Sequence, residues 1–431
     1  MKRLLFSIFL FSFISVAMGQ DMKKAKKYLD AKQLDKAKTE IDGILSKKPD
    51  DAEALYMKAK VYGMIAASDE YKSLVTEGDA RDIAFETVIK ALNDSSNAKM
   101  TLMAAQDQYK ALFDLYSDYY SMGAEAFNNA SQAGDKALYE DAMNYFIKSN
   151  NVGQYIVERN LAKIGKVDTT LVLNIGKAAL NAKKEDLAMK YFQMLADARI
   201  NGTSEGNTAG FQIPYQYLTL HYKNAADEAN MMKYASLGKE LFPEEDYFTL
   251  VEMDYYRENK NQEKLFSKYD ELVAKNPDSL TYHFNYANDI FGYLYNSDAG
   301  TVINNKQGLI TTLGQQVEAA YKINPTDVNN NWLYGQYYYN LGIEYRDSAN
   351  RTQDATAKAS LRATSDENFK KAIPYGEKAL ATLEGDLKKS DKSRYKSITD
   401  LMQKIYQSLN QNDQVKVYQT KYDNADAKFE N

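Results

Sequence analysis

Two stretches of the chain decide how it is read: Tyr222-Lys-Asn-Ala-Ala-Asp-Glu-Ala-Asn-Met231-Met-Lys-Tyr-Ala235-Ser-Leu-Gly238-Lys-Glu-Leu-Phe-Pro243 and Tyr256-Arg-Glu-Asn-Lys-Asn-Gln-Glu-Lys-Leu265-Phe-Ser-Lys-Tyr269-Asp-Glu-Leu272-Val-Ala-Lys-Asn-Pro277. Laid one over the other they match position by position: Tyr222 with Tyr256, Met231 with Leu265, Ala235 with Tyr269, Gly238 with Leu272, Pro243 with Pro277, each pair 34 residues apart. Pro325 follows Pro277 after 48 residues, one further period with 14 added. A fixed period of this length marks a chain built from stacked supersecondary units, none of which can bury its apolar face alone.

The pattern extends outward in both directions. Tyr28, Ala37, Ile41, Ile44 and Pro49 form a first unit, and Leu55, Ala59 and Tyr62 open the next. A central unit holds Ile175-Gly176, Ala179, Ala188, Phe192 and Leu195. Near the C-terminus Tyr334-Gly335 and Tyr338 recur inside Asn331-Trp-Leu-Tyr-Gly-Gln-Tyr-Tyr-Tyr-Asn-Leu-Gly342. On these residues the chain resembles the tetratricopeptide-repeat (TPR) family across most of residues 21–425, with eight to nine partly degenerate units. The resemblance implies an all-α solenoid, a right-handed superhelix of antiparallel helix pairs. Small residues at motif positions 8 and 20 let paired backbones approach, and large ones at 4, 7, 11 and 24 fill the space between them. Proline at 32 stops the second helix, because it lacks an N–H and clashes with the preceding turn. A coiled coil is excluded, since heptads are not sustained and Asn-Pro turns punctuate the period.

The array is irregular. About 13 residues are added between Tyr62 and Ala84, an insertion spans Asn296 to Asn305, and a polar stretch runs from Arg346 to Thr364 before Phe369-Lys-Lys-Ala372. That last stretch, rich in Ala, Lys and Asp, reads either as loop or as extra helical length. Asn201 to Ala209 has loop composition. The expected organisation is therefore N-terminal repeats over residues 20–200, a loop at 201–211 about which two halves could flex, and C-terminal repeats over 212–431, all one continuous solenoid.

Residues 1–19 read as a secretory signal peptide: Lys2 and Arg3, the apolar run Leu4 to Val16, then Ala17-Met18-Gly19 with small residues at −3 and −1, so that a mature chain starts at Gln20. The apolar run falls short of the ~20 residues of a spanning helix, and no later stretch is a transmembrane candidate. Loss of Lys2 and Arg3 with no acid moves the formal charge from −5 to −7. An acidic surface is poorly suited to nucleic acid, whose phosphates demand clustered Lys and Arg. With no cysteine in the chain, thiol chemistry, cysteine-ligated zinc and lipidation at cysteine are all closed, and stability must come from an apolar core.

Catalytic motifs are missing as well. The histidines, His221 and His283, lie 62 residues apart without zinc-site spacing. His221 neighbours motif Tyr222 and His283 takes motif position 4, so packing roles are expected for both. Asp50-Asp51 and Glu244-Glu245-Asp246 follow motif prolines and precede helices, where acids complement the helix dipole. Gly-x-Ser-x-Gly, Walker and Gly-x-Gly-x-x-Gly patterns are absent, and no cofactor is expected. The 35 tyrosines read mainly as core, with some left to line a groove.

The expected function is that of a non-enzymatic scaffold, exported to the periplasm or beyond or held at the outer membrane through its partner, that grips a protein or peptide in the concave groove. The signal peptide and the Lys/Asn/Tyr-rich composition resemble exported TPR proteins of Bacteroidota-type bacteria. The alternative is glycan capture like that of starch-utilisation outer-membrane proteins of the SusD type. Motif positions 5, 9 and 12 of each first helix share one face, since offsets of four and three residues stack side chains. In the repeat beginning at Val328 these are Trp332, Gln336 and Tyr339. The repeat before supplies Phe284, Asn288 and Phe291, and the one before that Leu250, Asp254 and Arg257.

Overall fold

The computed structural model describes residues 22–93, 98–161, 168–298 and 300–429; the signal-peptide reading at 1–19 lies outside them. Among the described residues there are helices and no strands, packed chiefly with their sequence neighbours as antiparallel pairs. The chain is an all-α, TPR-like solenoid, and it divides into two compact units between Glu244 and Glu245. The loop expected at 201–211 lies inside the first of these.

The N-terminal unit holds the pairs α1 (Met22–Asp30) with α2 (Leu34–Lys47), α3 (Ala52–Ala66) with α4 (Ala80–Asn93), a short α5 (Ala98–Gln106), then α6 (Lys110–Ala133) with α7 (Lys136–Glu158), α8 (Thr169–Asn181) with α9 (Glu185–Asp197), and α10 (Ile213–Asn224) with α11 (Glu228–Leu241). The C-terminal unit holds α12 (Tyr247–Glu258) with α13 (Gln262–Lys275), α14 (Leu280–Tyr295) with α15 (Lys306–Ile323), α16 (Val328–Arg351) with α17 (Ala355–Gly385), α18 (Lys392–Ser408) with α19 (Asn412–Asp423), and the closing turn α20 (Ala425–Phe429).

The prolines do what the period demands. Pro49, Pro243, Pro277 and Pro325 each stand two residues beyond a second helix, after α2, α11, α13 and α15. The residue before each has left the helical region, Lys48 at φ −135°, Phe242 at −134°, Asn276 at −126° and Asn324 at −137°. A following pyrrolidine ring excludes the helical region there. Pro214 instead starts α10, where no N–H is needed, and Pro374 lies within α17. Between paired helices one residue turns left-handed: Lys183, Ala226 and Lys260 at φ 61°, 54° and 53°. The last two are again one period apart.

The small-to-large contact of the motif is visible atom by atom. A Cβ on Gly176 would stand 2.4 Å from the Phe192 ring, so positions 8 and 24 touch directly. Gly123 with Phe146 and Gly342 with Phe369 repeat this in the two long hairpins. Earlier on α16, a Cβ on Gly335 would stand 3.6 and 3.7 Å from the backbone of Ala372 and Gly376. The extra residues between Tyr62 and Ala84 are a connection carrying one 3-10 turn, Lys72–Leu74. The polar stretch from Arg346 to Thr364 is extra helical length. It continues α16 to Arg351 and restarts α17 at once, with the Asp354 carboxylate capping the Ala357 N–H at 2.7 Å.

Tyrosine does two jobs here. Its ring fills core and its hydroxyl reaches a carboxylate beyond its own helix: Tyr56 to Asp107 at 2.9 Å and Tyr119 to Asp82 at 2.5 Å in the N-terminal unit, Tyr286 to Asp270 at 2.9 Å and Tyr395 to Glu384 at 2.6 Å in the C-terminal one. Burial, then the neighbouring carboxylate, raises these phenols above their ordinary pKa. Asp51 caps α3 as expected, accepting from the Ala54 N–H at 3.0 Å. Asp246 stands at the N-cap of α12, but its side chain makes no cap bond. It takes Lys275 and the Tyr282 hydroxyl, both at 2.8 Å, and so pins α12 to the end of α13 and the start of α14.

Candidate functional site

Within the C-terminal unit, α14, α16 and α18 are the first helices of three successive hairpins. They open together on a cavity of about 350 Å³. Phe291 and Tyr295 of α14 form one side, with Asn296 beyond them. Trp332, Gln336, Tyr339 and Asn340 of α16 form the floor, and Ser397, Asp400, Leu401 and Lys404 of α18 the far wall. Four of the nine residues expected to face a groove, Phe291, Trp332, Gln336 and Tyr339, are thereby brought to one place.

The chemistry is aromatic and amide with a neutralised edge. Trp332 and Tyr339 also pack against the core formed by α17 to α20, Tyr339 lying 5.6 Å from the Phe369 ring. Trp332 is therefore anchored at its base as well as presented to the cavity. Its indole N–H is buried without a hydrogen-bond acceptor. At the rim Lys404 and Asp400 pair at 2.7 Å, one helical turn apart, and that bond keeps the lysine pKa raised.

A second, wider cavity of about 820 Å³ borders the α12–α13 turn, α14 and the insertion after α14. Arg257 and Asn288 line it, with Lys260, Asp289, Tyr293, Asn296 and Asp298. Asn296 is common to both. Arg257 is held in place: it donates to Asp254 at 2.7 Å, to Asp289 at 3.0 Å and to the Tyr269 hydroxyl at 3.2 Å. Tyr269 in turn donates to Asp289 at 2.7 Å. Leu250, Asp254 and Phe284 border neither cavity; Leu250 is exposed on α12, and Asp254 serves as a partner of Arg257.

Sequence reasoning missed the α18 wall. Residues 392–423 hold neither glycine nor proline, so no landmark set the register there. The signal was the amphipathic spacing of Tyr395, Ile398, Met402 and Ile405, all buried, which leaves Ser397, Leu401 and Lys404 at the offsets of four and three used for the other repeats. The insertion after α14 lines the wider cavity through Asn296, Ser297, Asp298 and Thr301.

Both histidines pack against neighbouring side chains. His283 is buried, with Nδ1 2.6 Å from Gln316 and Nε2 2.9 Å from the Pro277 carbonyl, tying α14 to α15 and to its own entry turn. His221 lies against Tyr217 and Tyr222. Among the described residues no three histidine or carboxylate side chains gather as a metal ion would need, and no helix is long and apolar enough to cross a membrane.

Paired helices, 34-residue landmarks and a stripe of first-helix residues opening on shared cavities define a helical-repeat protein of TPR-like architecture. No protein-family model matches the chain, and no curated protein matches it. Solved structures with detectable likeness include the TPR domain of P58(IPK), at 14% identity over 91% of this chain and 98% of that one with a TM-score of 0.25. Yeast Tom70 aligns at 11% identity over 93% and 88%, TM-score 0.26. A monomeric IFIT1 mutant with m7Gppp-AAAA aligns at 14% identity over 84% and 68%, TM-score 0.31. At such scores the likeness carries nothing about binding.

Proposed function

We propose that the chain is a non-enzymatic scaffold of the cell envelope that docks a protein or peptide segment along the first-helix stripe of its C-terminal unit. The observation that carries this reading is the convergence of Phe291, Trp332, Gln336 and Tyr339 with the α18 wall on one cavity. Large, stiff aromatic rings beside amides offer contact area at low entropy cost, the composition favoured where one protein grips another. The charges flanking the site are already paired, Lys404 with Asp400 and Arg257 with Asp289, so recognition rests on shape and hydrogen bonding more than on net charge. The aromatics at the cavity are seated against the core instead of standing free as flat platforms, which supports a peptide over a glycan. Export rests on residues 1–19 and is proposed with the rest.

The test places a photoreactive benzophenone side chain at Gln336, and as control at exposed Arg362 on α17, in the native host. Cross-linking of one envelope protein at Gln336 and not at Arg362, lost on Tyr339→Ala, is the expected result. Equal labelling at both positions, or none at Gln336, removes the docking site. Fractionation of the same cells decides the compartment.

A further inference from the structure

Charge is spread unevenly along this chain. Residues 22–36 hold six lysines, Lys23, Lys24, Lys26, Lys27, Lys32 and Lys36, against two aspartates, Asp30 and Asp35, a formal charge of +4. Residues 37–431 hold 46 basic side chains against 56 acidic ones, a formal charge of −10. The basic stretch is α1 with the turn that leads into α2.

The helix sorts these residues by face. Ala25 and Leu29, four residues apart, are buried in the N-terminal core. Lys23, Lys26 and Lys27, at offsets of three and four, share the opposite face, and Lys24 lies at its edge. All four are exposed. Asp30 is the one acid of α1. Lys32 stands exposed in the turn, left-handed at φ 56°. Lys36 of α2 returns to α1, its Nζ 5.8 Å from the centroid of the Tyr28 ring.

This face has the chemistry of one kind of surface. The apolar side of α1 is turned into the core, so what remains outside is ammonium groups on long flexible stems. Protein interfaces are enriched in arginine and aromatic residues and depleted of lysine, and no arginine lies between Arg3 and Arg81. Lysine is a compact, hydrated point charge that suits a diffuse anionic layer better than a shaped pocket. We propose that α1 and its turn form an electrostatic docking face for an anionic phospholipid surface, held by the lysines with no apolar segment inserted. The acidic remainder of the chain is repelled by the same surface, which confines the contact to this face. Each lysine brought to such a surface strengthens binding about fivefold, and salt weakens it by screening. Neither cavity of the C-terminal unit takes part.

The test uses the chain from Gln20 onward, because the apolar run in residues 1–19 would itself enter a bilayer. Vesicles of phosphatidylcholine and phosphatidylglycerol in equal parts should sediment the protein at low salt and release it at high salt, and vesicles of phosphatidylcholine alone should leave it in solution. Lys26→Gln, Lys27→Gln and Lys32→Gln combined should weaken binding about 100-fold, and arginine at the same three positions should preserve it. Lys370→Gln, Lys388→Gln and Lys389→Gln combined make the same change of net charge at exposed sites of the C-terminal unit and should leave binding intact. Circular dichroism confirms that each variant is folded. Absence of sedimentation, equal binding to both kinds of vesicle, insensitivity to salt, or equal loss in the two glutamine variants overturns the proposal. Retention by soluble polyglutamate through the same lysines, with the vesicles ignored, also overturns it and makes this a face for an acidic protein.

Discussion

Gly176→Ala tests the packing register that underlies everything above. The added methyl carbon would stand 2.4 and 2.6 Å from two ring carbons of Phe192, where carbon contacts normally sit at about 3.5–4 Å. The ring cannot yield easily. Phe192 is fully buried and Tyr217 lies against it with centroids 5.3 Å apart. Overpacking of this kind costs about 1–3 kcal/mol, and replacing a helix-interior glycine returns up to about 1 kcal/mol. A net loss of about 1–2 kcal/mol is expected. Gly63→Ala is the internal control: it lies in the last turn of α3 with nothing within 4 Å of the new carbon, so only the helix gain of up to about 1 kcal/mol remains. Urea denaturation followed by far-ultraviolet circular dichroism reads both. Phe192→Leu in the Gly176→Ala background should recover part of the loss, showing coupling between the sites. If Gly176→Ala stabilises as Gly63→Ala does, positions 8 and 24 do not meet and the register is wrong.

Four further outcomes are expected. Gln336→Ala, at the cavity, should move stability by less than about 0.5 kcal/mol, whereas Trp332→Ala, anchored in the C-terminal core, should cost about 1–3 kcal/mol; a stability-neutral Trp332→Ala would place the indole outside the core. Glu384 is partly buried but accepts from Tyr395, Lys428 and Lys421, and these bonds hold its carboxyl down at about 2; its stabilisation is present above the unfolded value near 4.3 and lost as pH falls towards 2, so Glu384→Gln should flatten that limb of a stability–pH curve. Burial, and for Tyr282 also Asp246, pushes Tyr282 and Tyr337 up to about 12, so their neutral forms stabilise the fold below about pH 10 and that contribution falls as pH rises towards 12; a urea midpoint constant across that interval refutes it. Ala226→Gly should raise stability by up to about 1 kcal/mol, because Ala226 is exposed and left-handed at φ 54°; a lower midpoint would mean the unfolded-chain entropy of glycine outweighs the relief.

What the sequence determined by itself is the part written in local periodicity. Proline spacing, the small residues at motif position 8 and the aromatics sixteen residues later specify where a helix ends and how it pairs with its neighbour, because each constraint acts within one hairpin. Pro243 and Pro277, or Gly176 and Phe192, could be read without a partner outside their own repeat. The stripe positions were legible for the same reason, since face-sharing on a helix needs only the helix. Which of those positions open on a common space was decided by the tertiary structure alone. Phe291 and Trp332 meet across a cavity while Leu250 and Phe284 do not, and Lys404 joins them from a hairpin with no landmark. The choice of Lys275 and Tyr282 by Asp246, and the stacking of Tyr334 on Tyr375, likewise depend on how helices distant in sequence are rotated and offset against each other. No spacing along the chain encodes that rotation. It is set by the summed fit of many side chains between hairpins, and a polar group commits to a partner only once packing has fixed which ones lie within hydrogen-bond reach.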